Sequence, residues 1–334
     1  MRLGIVLDLR NPAPWRRPWA DVYAAALAFV EEADRLGLDV AVGEHHFWDD
    51  GYMPQPLTFL AAAAARTSQA RLATSILIVP LQHSVTLAEQ AAVVDCISGG
   101  RLELGLGTGY RVPEFEAFGA DLGSRLRRYE ERIVAVRALW RERRVTPPIV
   151  QDTIPLWAGV RGPKGSYLAG TLGMGLLTMP GTEWESYLAG IRDAGEGFRP
   201  RFGGPVYAML ADDPDRAFAE LAPRIEEHWH AYDRYGVEGT GNPVPEPLGA
   251  DDYRRIGPFA GPVGGEGSRR TIGFGVFTPE QAAEAVVAVA AGRTPDWVYF
   301  PATLGSLFDD TAHRHLELIA GRLRPLLDER FAAV

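Results

Sequence analysis

The fold is decided by residues 71–107, which read RLATSILIVPLQHSVTLAEQAAVVDCISGGRLELGLG. Two short apolar segments rich in β-forming residues, 71–79 and 101–107, enclose a helix-like segment at 84–97. Ser98-Gly99-Gly100 follows that helix and places glycine where a left-handed cap is favoured. A strand, a helix and a second strand in this order predict two parallel strands joined by a helical crossover.

The same alternation runs through the rest of the chain. Strands are predicted at 3–9, 39–43, 71–79, 101–107, 154–160, 173–179, 205–210 and 296–300. Helices are predicted at 19–36, 56–68, 84–97, 124–144, 163–171, 182–192, 213–235, 279–291 and 309–331. Repeated units of this kind predict an α/β protein with a closed (β/α)8 TIM barrel, in one domain over residues 1–334. A doubly wound sheet is the alternative, and the lack of a G-x-G-x-x-G motif after the first strand disfavours it.

One segment interrupts the alternation before the last predicted strand. Residues 236–277 are rich in glycine, proline and charged residues. A long irregular segment inside a barrel is typically a functional lid or an insertion. We therefore predict that residues 236–277 form a lid or insertion without regular structure.

Composition excludes several classes of function. The chain has 334 residues, 43 of them acidic and 34 basic, and its net charge is −9. An acidic protein is a poor partner for nucleic acid or an anionic membrane surface, which need clustered cations. The single cysteine excludes an intramolecular disulfide and a cysteine-rich metal site. The N-terminal residues lack the apolar core of a signal peptide, and no apolar run is long enough to span a bilayer, so we expect a cytoplasmic protein.

The end of the second predicted strand is the first candidate for chemistry, because barrel enzymes place catalytic groups at the carboxyl ends of their strands. This end reads Gly43-Glu44-His45-His46. Imidazole titrates near neutral pH, so two histidines beside a carboxylate predict an acid/base site. Two hydrogen-bonded core histidines are the alternative interpretation. A zinc site is disfavoured because this spacing does not direct both histidines to one metal.

Two further strand ends are rich in glycine. The fourth strand ends in Gly107-Thr108-Gly109, where glycines allow close approach of a flat ligand or tight packing inside the barrel. The fifth is followed by Gly159-Val160-Arg161-Gly162-Pro163-Lys164, and Lys164 is the only lysine of the chain. Backbone N–H groups at a helix start, together with two cations, predict a phosphate site there, with a solvated loop as the alternative.

Four other histidines are less informative. His228 and His230 are two residues apart on one predicted helix, and His313 and His315 are two apart on another. Residues at this spacing do not share a helix face. We expect all four to be surface histidines.

Several motifs carry a resemblance to a known family. They are Glu44-His45-His46-Phe47, residues 74–80 (TSILIVP), residues 95–101 (DCISGGR), Gly107-Thr108-Gly109-Tyr110 and residues 114–119 (EFEAFG). With these motifs the chain resembles the luciferase-like flavin-dependent monooxygenases and reductases. The resemblance is dense over residues 1–180 and loose afterwards.

The resemblance implies a TIM barrel, a bound flavin and a homodimer packed through barrel helices. It implies that His45 lies near the flavin ring as general acid/base, and we assign Glu44 as the carboxylate that orients it. It implies a cis peptide between Ser75 and Ile76 beneath the ring. It implies phosphate contacts at the ends of the fourth and fifth strands, namely Gly107, Thr108, Gly109, Gly159, Val160, Arg161, Gly162 and Lys164. Position 108 is often arginine in the luciferases, so threonine here shifts the phosphate charge to Arg161 or Lys164.

The function that the resemblance implies is a monooxygenase that uses reduced FMN and O2 on a small organic substrate. A separate flavin reductase would supply the FMN, and residues 236–277 would select the substrate. The stretch Arg161-Gly162-Pro163-Lys164 is also similar to family members that use F420, so F420-dependent hydride transfer is the first alternative. A non-catalytic flavin-binding partner subunit is the second. A barrel hydrolase is the third, and it would need a second carboxylate across the barrel mouth.

Overall fold

The computed structural model describes residues 1–179, 183–195, 197–259 and 272–332. The strands in these ranges are β1 (Arg2–Leu7), β2 (Asp39–Val42), β3 (Leu72–Ile78), β4 (Leu102–Gly107), β5 (Leu156–Gly159), β6 (Gly175–Leu177), β7 (Phe202–Pro205), β8 (Ala208–Leu210), β9 (Gly275–Phe277) and β10 (Trp297–Pro301). Among the described residues, eight parallel strands close a barrel in the order β1-β10-β7-β6-β5-β4-β3-β2. The predicted TIM barrel is confirmed.

Helices follow the strands along the chain. They are α1 (Trp19–Arg35), α2 (Pro56–Arg66), α3 (Ser84–Ser98), α4 (Val112–Ala117), α5 (Arg125–Arg141), α6 (Gly162–Thr171), α7 (Glu183–Asp193), α8 (Pro214–Val237), α9 (Ala250–Ile256), α10 (Pro279–Ala290), α11 (Asp310–Leu318) and α12 (Arg324–Phe331). The helix predicted over 309–331 is α11 and α12 joined by a π-helical turn, Ile319–Leu323. Within the described ranges, no helix combines the length and apolar character needed to cross a membrane.

The barrel interior is filled by large side chains at its centre. Trp157, Trp297 and Tyr299 pack there with small residues such as Ala41 and Ala73. The packing demands glycine at Gly105, because a Cβ atom there would lie 2.1 Å from the carbonyl oxygen of Thr74. Interior layers of this kind make the barrel a solid core, so ligands are confined to its mouth.

The prediction for the seventh strand, residues 205–210, is wrong. The barrel strand is β7, whose sequence Phe-Gly-Gly-Pro ends at Pro205, and residues 208–210 form β8 outside the barrel, paired with β9. A Cβ atom at Gly203 would lie 2.0 Å from the carbonyl oxygen of Trp297, so this barrel position requires glycine. Because β7 is built from residues with low strand propensity, the apolar run that follows it was the stronger sequence signal.

The prediction that residues 236–277 lack regular structure holds for residues 238–249 and is wrong for three other parts of the described range. Helix α8 extends to Val237, α9 spans Ala250–Ile256, and β9 spans Gly275–Phe277. Tyr253 of α9 packs with Trp229 and Phe274 in a second, smaller hydrophobic cluster. Residues 260–271 of the predicted lid lie outside the described residues.

The expectation that all four of these histidines lie at the surface is wrong for His315. His315 is fully buried; its Nδ1 atom accepts the N–H of Leu210 at 2.8 Å, and its Nε2 atom lies 3.1 Å from the carbonyl of Pro301. Burial lowers the pKa of His315 to about 3, so the ring is neutral. His228, His230 and His313 are partly buried, and each has a polar partner, namely Asp8, the carbonyl of Leu248 and Glu32.

Candidate active site

The predicted site residues lie together at the carboxyl ends of four neighbouring strands. The residues after β2 carry Glu44 and His45, and β3 carries Ser75 and Ile76. Strands β3, β4 and β5 are adjacent in the barrel, and Gly107 is paired with Ile78 on one side and with Gly159 on the other. The residues that were predicted from separate motifs therefore lie in one arc at the barrel mouth.

His45 is buried at this mouth among aromatic rings. Its ring stacks on Trp48 with centroids 5.1 Å apart, and it meets the rings of Tyr52 and Tyr110 edge to face. Its Nδ1 atom lies 2.9 Å from Oε1 of Glu114, and its Nε2 atom lies 3.4 Å from the hydroxyl of Tyr110. A carboxylate thus holds Nδ1 of His45. Its Nε2 atom faces Tyr110, and Tyr110 is partly exposed.

Glu114, in the first turn of α4, is the carboxylate that orients His45. Burial raises its pKa, but the hydrogen bond and charge of His45, the N–H of His46 and the charge of Arg111 lower it, and the net pKa is below the usual value. An ionised carboxylate only accepts hydrogen bonds. His45 therefore donates from Nδ1, and its Nε2 atom is left free of a proton when the ring is neutral.

The prediction that Glu44 orients His45 is wrong. The carboxylate of Glu44 accepts from Nε2 of His46 at 2.9 Å, from the N–H of Ile78 at 2.6 Å and from the side chain of Gln82 at 2.9 Å. Successive residues of an extended chain point to opposite sides, which puts residues 44 and 46 on one side and residue 45 on the other. Glu44 therefore ties the end of β2 to the end of β3, and burial raises its pKa.

Sequence reasoning did not identify Glu114 as a functional residue. It lies in α4, a helix of six residues that is too short to give an amphipathic pattern, and none was predicted there. The motif of residues 114–119 was noted only as part of the resemblance. The available signal was a pair of glutamates, Glu114 and Glu116, shortly after the glycine-rich end of the fourth strand.

The edge of β3 and the glycines beside it form the floor of the mouth. The peptide between Ser75 and Ile76 is cis, as predicted. Ser75 and Ile76 are partly exposed, whereas their neighbours in β3 are buried, and the Ser75 hydroxyl lies 2.7 Å from that of Tyr299. A Cβ atom at Gly107 or at Gly159 would come within 2.4 Å or 2.3 Å of the Ile76 side chain. These glycines leave the space that Ile76 occupies.

The loop after β5 leads directly into the N-terminus of α6. Arg161 precedes the helix in an extended conformation, Gly162 has a φ of +77°, and Pro163 lies in the first turn. Arg161 and Lys164 are exposed, and the Ser166 hydroxyl is buried without a hydrogen-bond partner among the described residues. Helix N-terminal N–H groups, two cations and an unsatisfied hydroxyl fit a phosphate group.

The remaining predicted phosphate residues flank this loop. Thr108 and Gly109 follow β4 and are partly exposed, and Val160 is buried between β5 and α6. Thr108 offers a hydroxyl but no charge, as the sequence indicated. In the ranges that the structure describes, no group of His, Cys, Asp and Glu side chains is arranged to hold a metal ion.

The family model for luciferase-like monooxygenases matches residues 1–294. The chain belongs to this family. The TIM barrel and the cis peptide after Ser75 agree with what the resemblance implied. Its relatives include flavin-dependent monooxygenases and F420-dependent enzymes, so the family supports an oxidoreductase.

Three relatives illustrate this range within the luciferase-like family. The oxygenase component of flavin-dependent trigonelline monooxygenase from Acinetobacter baylyi is 29% identical over 176 residues, which cover 48% of this chain and 49% of the relative. An F420-dependent glucose-6-phosphate dehydrogenase from Beutenbergia cavernae is 30% identical over 60% of this chain and 62% of its own. The chain thus matches about half or slightly more of the length of these curated relatives. The structure of monooxygenase RslO1 from Streptomyces bottropensis superposes with a TM-score of 0.77 at 25% identity, covering 97% of this chain and 99% of that one.

Proposed function

We propose that this member of the luciferase-like family is a monooxygenase that uses reduced FMN and O2 to oxidise a small organic substrate. The observation that carries the proposal is the buried pair of His45 and Glu114, 2.9 Å apart, at the barrel mouth beside the edge of β3. A histidine held by an ionised carboxylate is a general acid/base with a fixed orientation. The flavin-dependent relatives support this reaction type.

The residues of the arc are suited to hold the flavin. The N-terminus of α6 with Arg161, Lys164 and the Ser166 hydroxyl would bind its phosphate, and the edge at Ser75 and Ile76 would support its ring. When bound, reduced flavin supplies the electrons that activate O2. A separate flavin reductase would deliver it, as the name "oxygenase component" of the trigonelline enzyme suggests.

His45 would move the proton of the reaction at its Nε2 atom. Because Glu114 accepts from Nδ1, proton uptake at Nε2 gives an imidazolium that the carboxylate stabilises. Trp48, Tyr52 and Tyr110 surround the ring and limit the access of water. A drier site strengthens the interaction between the two charges and protects reactive species from hydrolysis.

The mouth is suited to an uncharged substrate with an oxygen atom that accepts hydrogen bonds. Burial raises the pKa of Tyr52, Tyr110, Tyr207 and Tyr232, so these phenols stay neutral and can donate hydrogen bonds. The nearby cation Arg10 is engaged by Asp8 at 2.7 Å and is therefore neutralised. Two buried polar atoms next to His45, Nε1 of Trp48 and Oε2 of Glu114, have no partner among the described residues and could meet a polar substrate group.

An F420-dependent hydride transfer is the second candidate. It is favoured by the exposed cations Arg161 and Lys164 at the phosphate loop and by the F420-dependent relative from Beutenbergia cavernae. In that reaction His45 would exchange a proton with the substrate while hydride passes to or from the deazaflavin. The intact pair of His45 and Glu114 argues against a non-catalytic flavin-binding subunit.

We further propose that the chain forms a homodimer through α3. Val85, Val93 and Ile97 are exposed apolar residues on this barrel helix, beside the exposed polar residues Thr86, Glu89 and Gln90. Exposed apolar side chains grouped on one surface are typical of a site that a partner covers. A second copy of the chain is the partner that the family implies.

Oxygen uptake tests the proposed reaction. The protein, FMN and a flavin reductase with NADH would be supplied with uncharged organic substrates, and O2 consumption and product would be followed. The proposal expects substrate-dependent product that contains one oxygen atom from 18O2. Product formation with F420H2 or oxidised F420 under anaerobic conditions would instead establish hydride transfer.

A further inference from the structure

The guanidinium of Arg111 is fully buried where three chain segments meet. Its Nη1 atom donates to the carbonyl of His46 at 2.5 Å and to Oε1 of Glu114 at 3.1 Å. Its Nε atom donates to the carbonyl of Tyr235 at 3.1 Å, and Nη2 donates to the carboxylate of Glu238 at 2.6 Å. One side chain therefore holds the residues after β2, the first turn of α4 and the end of α8.

These contacts need the planar fork of arginine. The guanidinium lies 5.5 Å from the Trp48 ring centroid and 5.1 Å from that of Tyr235, so aromatic faces also fix its plane. Lysine could replace the charge but would present a single ammonium group that cannot reach acceptors in several directions. Arg111 is thus a geometric constraint as well as a charge.

The carboxylate of Glu114 depends on Arg111 as one of its donors. Oε1 accepts from Nδ1 of His45, the N–H of His46 and Nη1 of Arg111. The titratable and charged groups that face Glu114 are His45, Tyr110, Arg111 and, beyond His46, Glu44. Burial raises the pKa of Glu114 and its three donors lower it, and a protonated Glu114 would no longer require His45 to donate from Nδ1.

The other end of Arg111 reaches the start of the segment that was predicted to select the substrate. Glu238 caps the C-terminus of α8, and its carboxylate is half exposed. The chain then continues through residues 239–249 to α9. Because the guanidinium of Arg111 bonds to both Glu238 and Glu114, a movement at the end of α8 would change the position of Glu114.

We propose that Arg111 is the positioning residue of this site, which holds Glu114 against His45 and ties this pair to the end of α8. The inference rests on the proposed function, in which His45 is the general acid/base. Arg111 itself is fully buried and acts through Glu114.

Four variants test the inference. Arg111→Met removes both the charge and the planar guanidinium, and Arg111→Lys removes only the guanidinium. Glu238→Gln removes the ionic contact between Arg111 and residue 238, and Glu131→Gln is a control. Glu131 forms an exposed ion pair with Arg127 on α5. The measurements on ligand-free protein are the titration of Glu114 by 13C NMR and the hydrogen exchange of residues 235–238. The measurement on the loaded enzyme is the pH dependence of kcat/KM.

The expected results separate charge from geometry. In Arg111→Met, the titration of Glu114 and the acid limb of kcat/KM move to higher pH by about one unit. Arg111→Lys returns both toward the wild-type values but leaves faster exchange at residues 235–238. Glu238→Gln speeds that exchange and leaves the titration of Glu114 unchanged, and Glu131→Gln changes none of the three.

The inference is overturned if Arg111→Met titrates like the wild type, or if exchange at residues 235–238 stays unchanged in both Arg111→Lys and Glu238→Gln. If Arg111→Met does not fold, the wild-type titration decides, and a Glu114 pKa at or above 4.5 contradicts the inference. Suppose that the titration of Glu114 is shifted in Arg111→Met, but the protein shows no turnover with any flavin or with a deazaflavin. This result would support the role of Arg111 and reject the proposed function. Normal turnover with an unshifted titration would reject only the role of Arg111.

Discussion

His45 and His46 are sequence neighbours with different partners. His45 is bonded to Glu114 on α4, whereas His46 is bonded to Glu44 two residues before it. The sequence was sufficient to predict an acid/base site at this strand end. It was not sufficient to pair each histidine with its carboxylate, since Glu114 is 69 residues away along the chain.

His45→Gln tests the role of the histidine directly. Glutamine keeps a hydrogen-bonding group but cannot take up a proton, so we expect kcat to fall by about 10²–10⁴-fold, with flavin affinity changed little. His46→Gln is the matched control, because His46 bonds to Glu44 away from the mouth; we expect it to lower the melting temperature and to leave most of kcat. Steady-state kinetics and thermal unfolding measure both effects. Equal losses of kcat in the two variants would contradict the assignment.

A glycine beside Ile76 tests the floor of the mouth. A methyl group at Gly159 would meet the stiff, β-branched Cγ2 of Ile76, whereas one at Gly107 would meet its more flexible Cδ1. We expect Gly159→Ala to weaken flavin binding more than Gly107→Ala, and to cost about 1–3 kcal/mol of stability from overpacking. Calorimetric titration and urea unfolding give the two values. Wild-type affinity in Gly159→Ala would show that the flavin does not lie over Ile76.

Helices and strands with a clear apolar pattern in the sequence were predicted, and those with a weak apolar pattern were missed. The segments around β3, α3 and β4 have clear apolar runs with glycine caps, and the structure follows them closely. Strand β7 is Phe-Gly-Gly-Pro, and its glycine is required by the carbonyl of Trp297, so packing overrides strand propensity there. Helix α4 is too short to give a periodic signal, and it carries the orienting carboxylate.

His315 connects three elements and makes stability depend on pH. It lies in α11 and bonds to Leu210 of β8 and Pro301 of β10. Its pKa is lowered from 6.5 to about 3, so the unfolded chain binds the proton more tightly. The stability that the neutral ring contributes is fully present above pH 6.5 and is lost as the pH falls toward 3, on the order of 5 kcal/mol in total.

His315→Gln should remove this part of the pH dependence. Glutamine offers an acceptor and a donor but does not titrate in this range. We expect the free energy of unfolding of the wild type to fall more steeply than that of His315→Gln between pH 6.5 and 4. Urea unfolding at several pH values measures the difference, and parallel pH profiles would contradict the buried, neutral state of His315.

At the scale of the whole molecule, the barrel brings separate motifs into one arc. Residues after β2, β3, β4 and β5 are far apart in sequence, and closure of the barrel places them on adjacent strand ends. This arrangement could be predicted because it follows from the topology. The second small cluster could not, since α9 and β9, which pack there against α8, lie in a segment that was predicted to be irregular.

The dimer proposal predicts a specific effect of surface charge. We expect the double variant Val93→Asp with Ile97→Asp to be monomeric at concentrations where the wild type is dimeric, because charges would be buried in the apolar contact. Val134→Asp on α5 is the control at an exposed valine of another barrel helix. Sedimentation velocity distinguishes the two states. A wild type that sediments as a monomer would contradict the proposal.

The central claim is that the arc binds a reduced flavin with its phosphate at the N-terminus of α6. The most direct measurement is an anaerobic calorimetric titration of the protein with FMNH₂, FMN and F420, repeated with Arg161→Ala and Lys164→Ala. We expect tight binding of FMNH₂, little response to F420, and at least about tenfold weaker FMNH₂ binding in one of the two variants. Tight binding of F420 alone would assign hydride transfer, and binding of none of the three cofactors would contradict the account.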